Sequence, residues 1–412
     1  MHNARFIYFL LVIVHSASFG QPKTLDSFLT AAVSNSPLLN EYRYNILSAG
    51  IDSALIVAAN KYQVAGNGNA YYAPIINGFG YDKAITNGQQ LSALVALNKQ
   101  VYNKRNLSLG FAGIQLQKDS ISNAATISEQ DIKKAIIAQY ITTYGDQLQL
   151  NFNNELIDLL SREEIILKKL TRNNVYKQVD YLSFLVTLQQ QQLTRKQLEV
   201  QYKNDYGQLN FLAGIYDTAS FPLEPPQLSM VKTVYRDSSA FFLKYKLDSL
   251  RLINNKALID LGYRPKVGVF ADAGYQSSFD IKPYKNFGTS FGINFTIPIY
   301  DGRQKKLQYT KLAIQERIRL RNKEYFQNQY YQQTSLLEQQ LVAIEGLVDP
   351  INRQIKYIET LIEANGKLLE TGDIKMTDYV LALNNYITAK NLLVQNQVSR
   401  FQVLNQLNYW KK

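Results

Sequence analysis

The sequence predicts a mainly α-helical chain built twice over, each half carrying two β-strands of membrane-spanning length. Three observations predict it. The chain matches itself at an offset of 198 residues, with Tyr102 and Tyr300, Asp180 and Asp378, and Gln208 and Gln406 standing in corresponding motifs. One segment of each half alternates large apolar with small or polar residues, the period of a strand whose faces meet different media. After it, roughly 69 residues run without a strong breaker, enough for a helix on the order of 100 Å long.

Composition narrows the function classes before any element is placed. Of 412 residues, 19% are charged and 12% aromatic, with no Cys and two His. That is too aromatic for a disordered chain and too poor in charge for an ordinary coiled-coil rod. Both histidines, His2 and His15, fall in a segment that reads as a secretory signal over 1–20: Arg5, an apolar run from Phe6 to Val14, then Ser18-Phe19-Gly20 before Gln21. The apolar run is too short for a membrane-spanning helix, which needs roughly 20 residues. Without that segment neither His nor Cys remains, so Ser-His-Asp and Cys-His catalysis and most zinc or iron sites are excluded. No phosphate-loop or dinucleotide fingerprint occurs either. The expectation is a non-enzyme with no cofactor, no metal and no catalytic residues. The formal net charge is +12. Export argues against nucleic acid as a partner, so the basic residues read as solvated helix faces.

Each half reads as helix, two strands, very long helix, tight turn, returning helix. Residues 25 to about 62 are mainly helical, with Pro37 at a helix start or break. The first repeat spans 21–213 with its hairpin at about 63–102. A connector over 214–233 holds Pro222, Pro225 and Pro226 and predicts an ordered excursion. The second repeat spans 234–412 with its hairpin at about 264–300.

The strongest alternation lies in the second hairpin. Phe287, Phe291, Ile293, Phe295, Ile297 and Ile299 alternate with Gly288, Ser290, Gly292, Asn294 and Thr296. The first five are the expected lipid-facing residues. The preceding strand, Lys266 to Tyr275, has the roughly 9–11 residues of a tilted membrane strand. Its first-half equivalent is expected around Ala70 to Ile76, weakened by Pro74. The counterpart of the second strand keeps the phase through Leu91, Ala93, Val95, Leu97 and Val101, with Lys99 on the apolar side. Tyr275, Phe279, Tyr284 and Phe287 form a candidate interfacial aromatic girdle, and Tyr102 and Tyr300 mark the passage from strand to helix.

The long segments carry coiled-coil spacing: Leu337, Leu341, Ile344, Val348, then Ile351, Ile355, Ile358, Ile362, echoed by Leu156, Leu160, Leu167 and Leu170. Pro350 should interrupt the second copy. Both end at matched turns, Asn173-Asn174 and Thr371-Gly372, residues that tolerate the left-handed conformation. Asp180 and Asp378 follow where a new helix begins.

Two strands per half give four per chain, and four cannot close a barrel. A lipid-exposed open edge leaves backbone groups unpaired at several kcal/mol each. Copies must therefore share one barrel, and small or polar inner residues favour twelve strands from a homotrimer over eight from a dimer.

These residues resemble the TolC-like outer-membrane efflux protein family. The carriers are Pro298-Ile299-Tyr300-Asp301-Gly302-Arg303, similar to the family's strand-to-helix junction, and its echo at Gln100 to Arg105. The turn Thr371-Gly372-Asp373-Ile374 leading to Asp378-Tyr379-Val380-Leu381-Ala382 is similar to the family's helical tip, and Arg264-Pro265 before the third strand is also family-like. The resemblance spans essentially the whole chain beyond the signal. It implies a trimer with a twelve-stranded barrel in the outer membrane of a Gram-negative bacterium and an α-barrel tunnel through the periplasm. It also implies docking of the helical tips on a periplasmic adaptor coupled to an inner-membrane pump or ABC transporter. Tip residues Asn174, Lys177, Gly372, Asp373 and Lys375 become candidate adaptor contacts. Asp378, with Asp180 as its repeat, matches the family's acidic constriction. Where a second acidic residue is common three positions on, this chain has Leu381, and Ser183 in the first half. A reading from another class is a periplasmic coiled-coil scaffold or adaptor whose strands form an ordinary β-domain.

Overall fold

The structure, a computed structural model, describes residues 23–86, 88–101, 104–231, 239–278 and 285–411. The signal segment, Tyr102, Phe279 and Tyr284 lie outside the described residues.

Helix α1 (Leu25–Asn35) is capped by the Thr24 side chain and ends at Ser36, whose extended backbone (ψ 116°) is what a following proline demands. Pro37 then opens α2 (Pro37–Ala59), where its missing N–H costs nothing. Strand β1 (Gln63–Tyr72), the short helix α3 (Lys83–Thr86) and β2 (Gln89–Val101) follow, then α4 (Lys104–Arg172) as one unbroken helix of 69 residues, and α5 (Gln178–Leu212). The second half repeats the order: α6 (Ala240–Gly262), β3 (Lys266–Ser277), β4 (Phe287–Thr296), α7 (Gln304–Gly346), α8 (Val348–Thr371) and α9 (Met376–Lys411).

The offset between halves is not constant. From β2 and β4 onward it is 198 residues, but α2 and α6, like β1 and β3, begin 203 residues apart. From the start of its first strand to the start of its second, the first hairpin is longer by five residues. This corrects the expected position of the first strand: β1 occupies Gln63–Tyr72 rather than the stretch around Ala70 to Ile76, and Pro74 falls in the loop. Strand β4 likewise stops at Thr296 instead of continuing to Ile299, because Pro298 has no N–H to give the ladder. The interruption expected from Pro350 appears three residues upstream, at Leu347 between α7 and α8. Proline cannot bond the carbonyl of Gly346 and its ring crowds that carbonyl, so the helix ends there. The first copy has Phe152 at the matching position and runs straight through.

The chain divides into two compact units, each drawing on both halves. One comprises the described residues of Met1–Ser36, Gln130–Lys232 and Gln332–Lys411. Its helices pack along the predicted seams: Leu156, Leu160 and Leu167 with Ile351, Ile355, Ile358 and Ile362, all buried. Each such Leu or Ile contributes about 2 kcal/mol by leaving water. A second cluster surrounds Phe28, Tyr140, Tyr206 and Leu223. The connector is the ordered excursion expected of it. Gln147 holds the Leu223 N–H at 2.6 Å and its carbonyl at 3.0 Å, while the Tyr202 and Tyr140 hydroxyls donate to the carbonyls of Phe221 (2.6 Å) and Glu224 (2.7 Å). The other unit comprises Pro37–Glu129 and Thr233–Tyr331, with a four-stranded antiparallel sheet of order β1-β2-β3-β4. Phe242 there meets Phe326 and Tyr330 edge-on, both at 5.4 Å, joining α6 to α7.

Candidate membrane sheet and helical tips

The register assigns every strand residue to a face. Asn67, Leu94, Gly274 and Gly288 stand in one row, and Ala65, Ala96, Asp272 and Ser290 in the next. This face also holds Gln63, Asn69, Ser92, Asn98, Gln100, Gly268, Gly292 and Asn294, and Ser290 donates to the Asp272 carboxylate at 2.8 Å. The Phe270 ring fills the space over Gly292, where a Cβ would fall 2.5 Å from it. The opposite face carries Val64, Leu91, Val95, Leu97, Val267, Val269, Phe287, Phe291, Ile293 and Phe295. Phe291 is 89% and Ile293 73% exposed, so none of the described residues covers them. The one charge on this face is Lys99, near the helix-proximal end, its ammonium 4.5 Å from the centre of the Tyr62 ring. Four of the five expected lipid-facing residues (Phe287, Phe291, Ile293, Phe295) share the apolar face; Ile297 lies one residue past the strand. Of the aromatic girdle, Tyr275 and Phe287 meet edge-on at 5.4 Å. Both β1 and β4 are sheet edges without a further strand partner among the described residues.

The junction after β4 shows why its motif reads as it does. Asp301 accepts the N–H of Arg303 (2.9 Å) and of Lys305 (2.7 Å), capping α7, and these bonds help hold its carboxyl below the usual range, after the Tyr263 hydroxyl as the largest cause. Gly302 and Arg303 take left-handed φ of 62° and 70°. Tyr300 is exposed beside them.

The two helical tips are brought together within the first unit. Asn174 (φ 61°) and Gly372 (φ 81°) occupy the same step of the same turn. The Val175 N–H closes onto the Leu170 carbonyl, and the Asp373 N–H onto that of Leu368, both at 3.0 Å. The Tyr176 hydroxyl then bridges the turns, donating to the Ile374 carbonyl at 3.0 Å. Beneath them Tyr379, fully buried, stacks on Phe184 at 6.4 Å. Its hydroxyl and one Glu163 oxygen find no hydrogen-bond partner among the described residues. Burial first, and Glu370 second, lift the Glu163 carboxyl above its ordinary value.

Asp180 and Asp378 differ despite their matched positions. The Asp180 carboxylate accepts the Lys177 N–H at 3.3 Å as a helix cap, whereas that of Asp378 is exposed and makes no hydrogen bond among the described residues. Lys177, Lys375 and Asp373 are exposed at the tips.

Sequence reasoning missed two features of this unit. Among 29 Tyr, nothing marks Tyr176 as the bridge between the turns or Tyr379 as the ring buried beneath them. Asp146 and Asp205 stand on different helices, yet they meet: burial first, then hydrogen bonding and charge from Asp205, push the Asp146 carboxyl up to about 7.

With both surfaces in view, the chain has the fold of the TolC-like outer-membrane channels. It superposes on a membrane protein from Pseudomonas aeruginosa with a TM-score of 0.74 at 13% identity, over 94% of this chain and 93% of that one. It is similarly close to the outer membrane protein VceC of Vibrio cholerae (TM-score 0.72, 12% identity, 94% and 96% covered). The Campylobacter jejuni CmeC outer membrane channel gives 0.69 at 12% identity, with 94% and 85% covered. No protein-family model matches the sequence, and no curated protein does. Among the described residues no helix is long and apolar enough to cross a membrane.

Proposed function

We propose that the chain is one subunit of an outer-membrane export duct, three copies closing a twelve-stranded barrel around a polar lumen. The observation that carries this reading is the sheet itself: two unpaired edges, one polar face, and an exposed apolar face whose only charge is Lys99 at its end. An ordinary β-domain would cover such a face. The helices support the same assembly. On α5, Val179, Leu182, Val186, Leu193 and Val200 keep coiled-coil spacing and are each half or more exposed, a seam that awaits a neighbouring copy. The tips around Gly372, Asp373, Lys375, Asn174 and Lys177 would dock on a periplasmic adaptor, coupled to an inner-membrane pump or ABC transporter that supplies the energy for efflux or type I secretion. The duct itself is passive. Asp378 would line its periplasmic constriction.

Detergent extraction, mass determination and planar-bilayer recording test the reading together. A trimer that conducts is the expected result. A monodisperse monomer, soluble without detergent and silent in bilayers, would exclude it.

A further inference from the structure

Charge along the sheet unit is sharply segregated. Its helix-proximal end is fixed by the pairs Gln63–Asn98, Val101–Val267 and Lys266–Thr296. Clustered there are Lys61, Lys104, Arg264, Arg303 and Lys306, none of which has a carboxylate partner among the described residues; Lys266 belongs to the polar face, opposite Thr296. The acids at the same level are already engaged. Asp260 takes the Lys305 ammonium at 3.1 Å and the Tyr309 hydroxyl, and Asp301 takes backbone N–H groups. At the far end, the described loop residues of the two hairpins carry only Asp82, Lys83 and Lys285.

We propose that these five cations form a basic collar that binds the phosphate headgroups of anionic glycerophospholipids in the leaflet at the helix-proximal end of the sheet. The inference rests on the reading of the sheet as membrane-spanning. The apolar face, 10 to 13 residues long in each strand, ends where the collar begins. Headgroup phosphates lie just outside the hydrocarbon, within the several ångströms that separate a core of roughly 30 Å from a bilayer of roughly 40–45 Å. Lys99 reaches toward this level from the apolar face and rests on Tyr62, as a snorkelling lysine does. Lipid fits better than an acidic protein segment because the cations flank the helix-proximal ends of all four strands instead of gathering on one helix.

Flotation of the purified protein with vesicles tests this. One set is phosphatidylcholine alone; the other contains about one part in four phosphatidylglycerol, at low and high salt. Wild type should associate with the anionic vesicles about tenfold better, and salt should erase the preference. The combined variant Lys61→Gln, Lys104→Gln, Arg264→Gln, Lys306→Gln should insert in neutral vesicles as wild type does but show no preference. The combined variant Lys61→Arg, Lys104→Arg, Lys306→Arg should retain the preference. Insertion of wild type into both vesicle types without preference overturns the collar and leaves the membrane reading standing. An undiminished preference in the glutamine variant assigns the cations to another partner and also overturns it, as does equal loss of insertion in both mixtures. Failure of wild type to float with either vesicle defeats the membrane reading itself.

Discussion

The Tyr176 hydroxyl donates to the Ile374 carbonyl oxygen at 3.0 Å, across 198 positions of sequence. Each residue is therefore the other's counterpart in the duplication, and the two copies of the turn clasp at equivalent points. Replacing the phenol by Tyr176→Phe should cost about 1 kcal/mol, the net worth of one such bond. Thermal unfolding of the detergent-solubilised protein measures it, and an unchanged midpoint would mean that the tips hold together by packing alone.

Gly372 is constrained twice. Its φ is 81°, and a Cβ would fall 2.5 Å from Val175 Cγ1. Gly372→Ala should destabilise the tip by about 1–3 kcal/mol through strain and collision together. Adding Val175→Ala should recover only the steric part. Full recovery in the double variant would show that backbone strain contributes nothing.

Matched positions need not have matched roles. Asp180→Ala should cost about 1 kcal/mol, since it removes a helix cap. Asp378→Asn should leave stability within about 0.5 kcal/mol but change single-channel conductance or ion selectivity. Indistinguishable channel records would reduce Asp378 to a solvated residue.

Asp146 makes stability depend on pH. Its pKa is raised to about 7 by burial and by Asp205. A carboxyl with a raised folded-state pKa favours the fold fully below its unfolded value near 4, and that contribution is lost as pH climbs through 7. Because the group is only partly enclosed, the swing is about 1–2 kcal/mol, well short of the full linkage value. Asp146→Asn should flatten the difference between melting temperatures at pH 5 and pH 8, raising the latter. A wild-type melting temperature that does not fall over this interval would contradict the assignment.

On the sheet, Phe291→Arg places a cation at the middle of the apolar face and should weaken membrane assembly by about 2–4 kcal/mol. Ser290→Arg, one residue away on the polar face beside Asp272, should assemble normally. Equal behaviour of the two variants in membrane fractionation would reverse or abolish the orientation of the strand.

Much of this architecture is legible before any coordinates. The left-handed steps at Asn174 and Gly372, the buried seam from Ile351 to Ile362 and the face-splitting of β4 all follow from residue type and spacing. Strand β1 is less legible for two physical reasons. Its residues are small, so alternation is faint, and the five extra residues of the first hairpin break the offset that would have located it. The break at Leu347 is displaced from Pro350 because proline damages the helix on its N-terminal side. The bridging Tyr176 and the Asp146–Asp205 pair depend on helices meeting at one particular height, which periodicity does not specify.

Those five additional residues have a further consequence at the opposite rim. If three copies close one barrel as proposed, the longer hairpins would alternate with the shorter ones, and the outer mouth would offer three equivalent footholds rather than six. Any ligand that grips the longer hairpins from outside would then meet a surface of threefold symmetry, however evenly the wall beneath is woven.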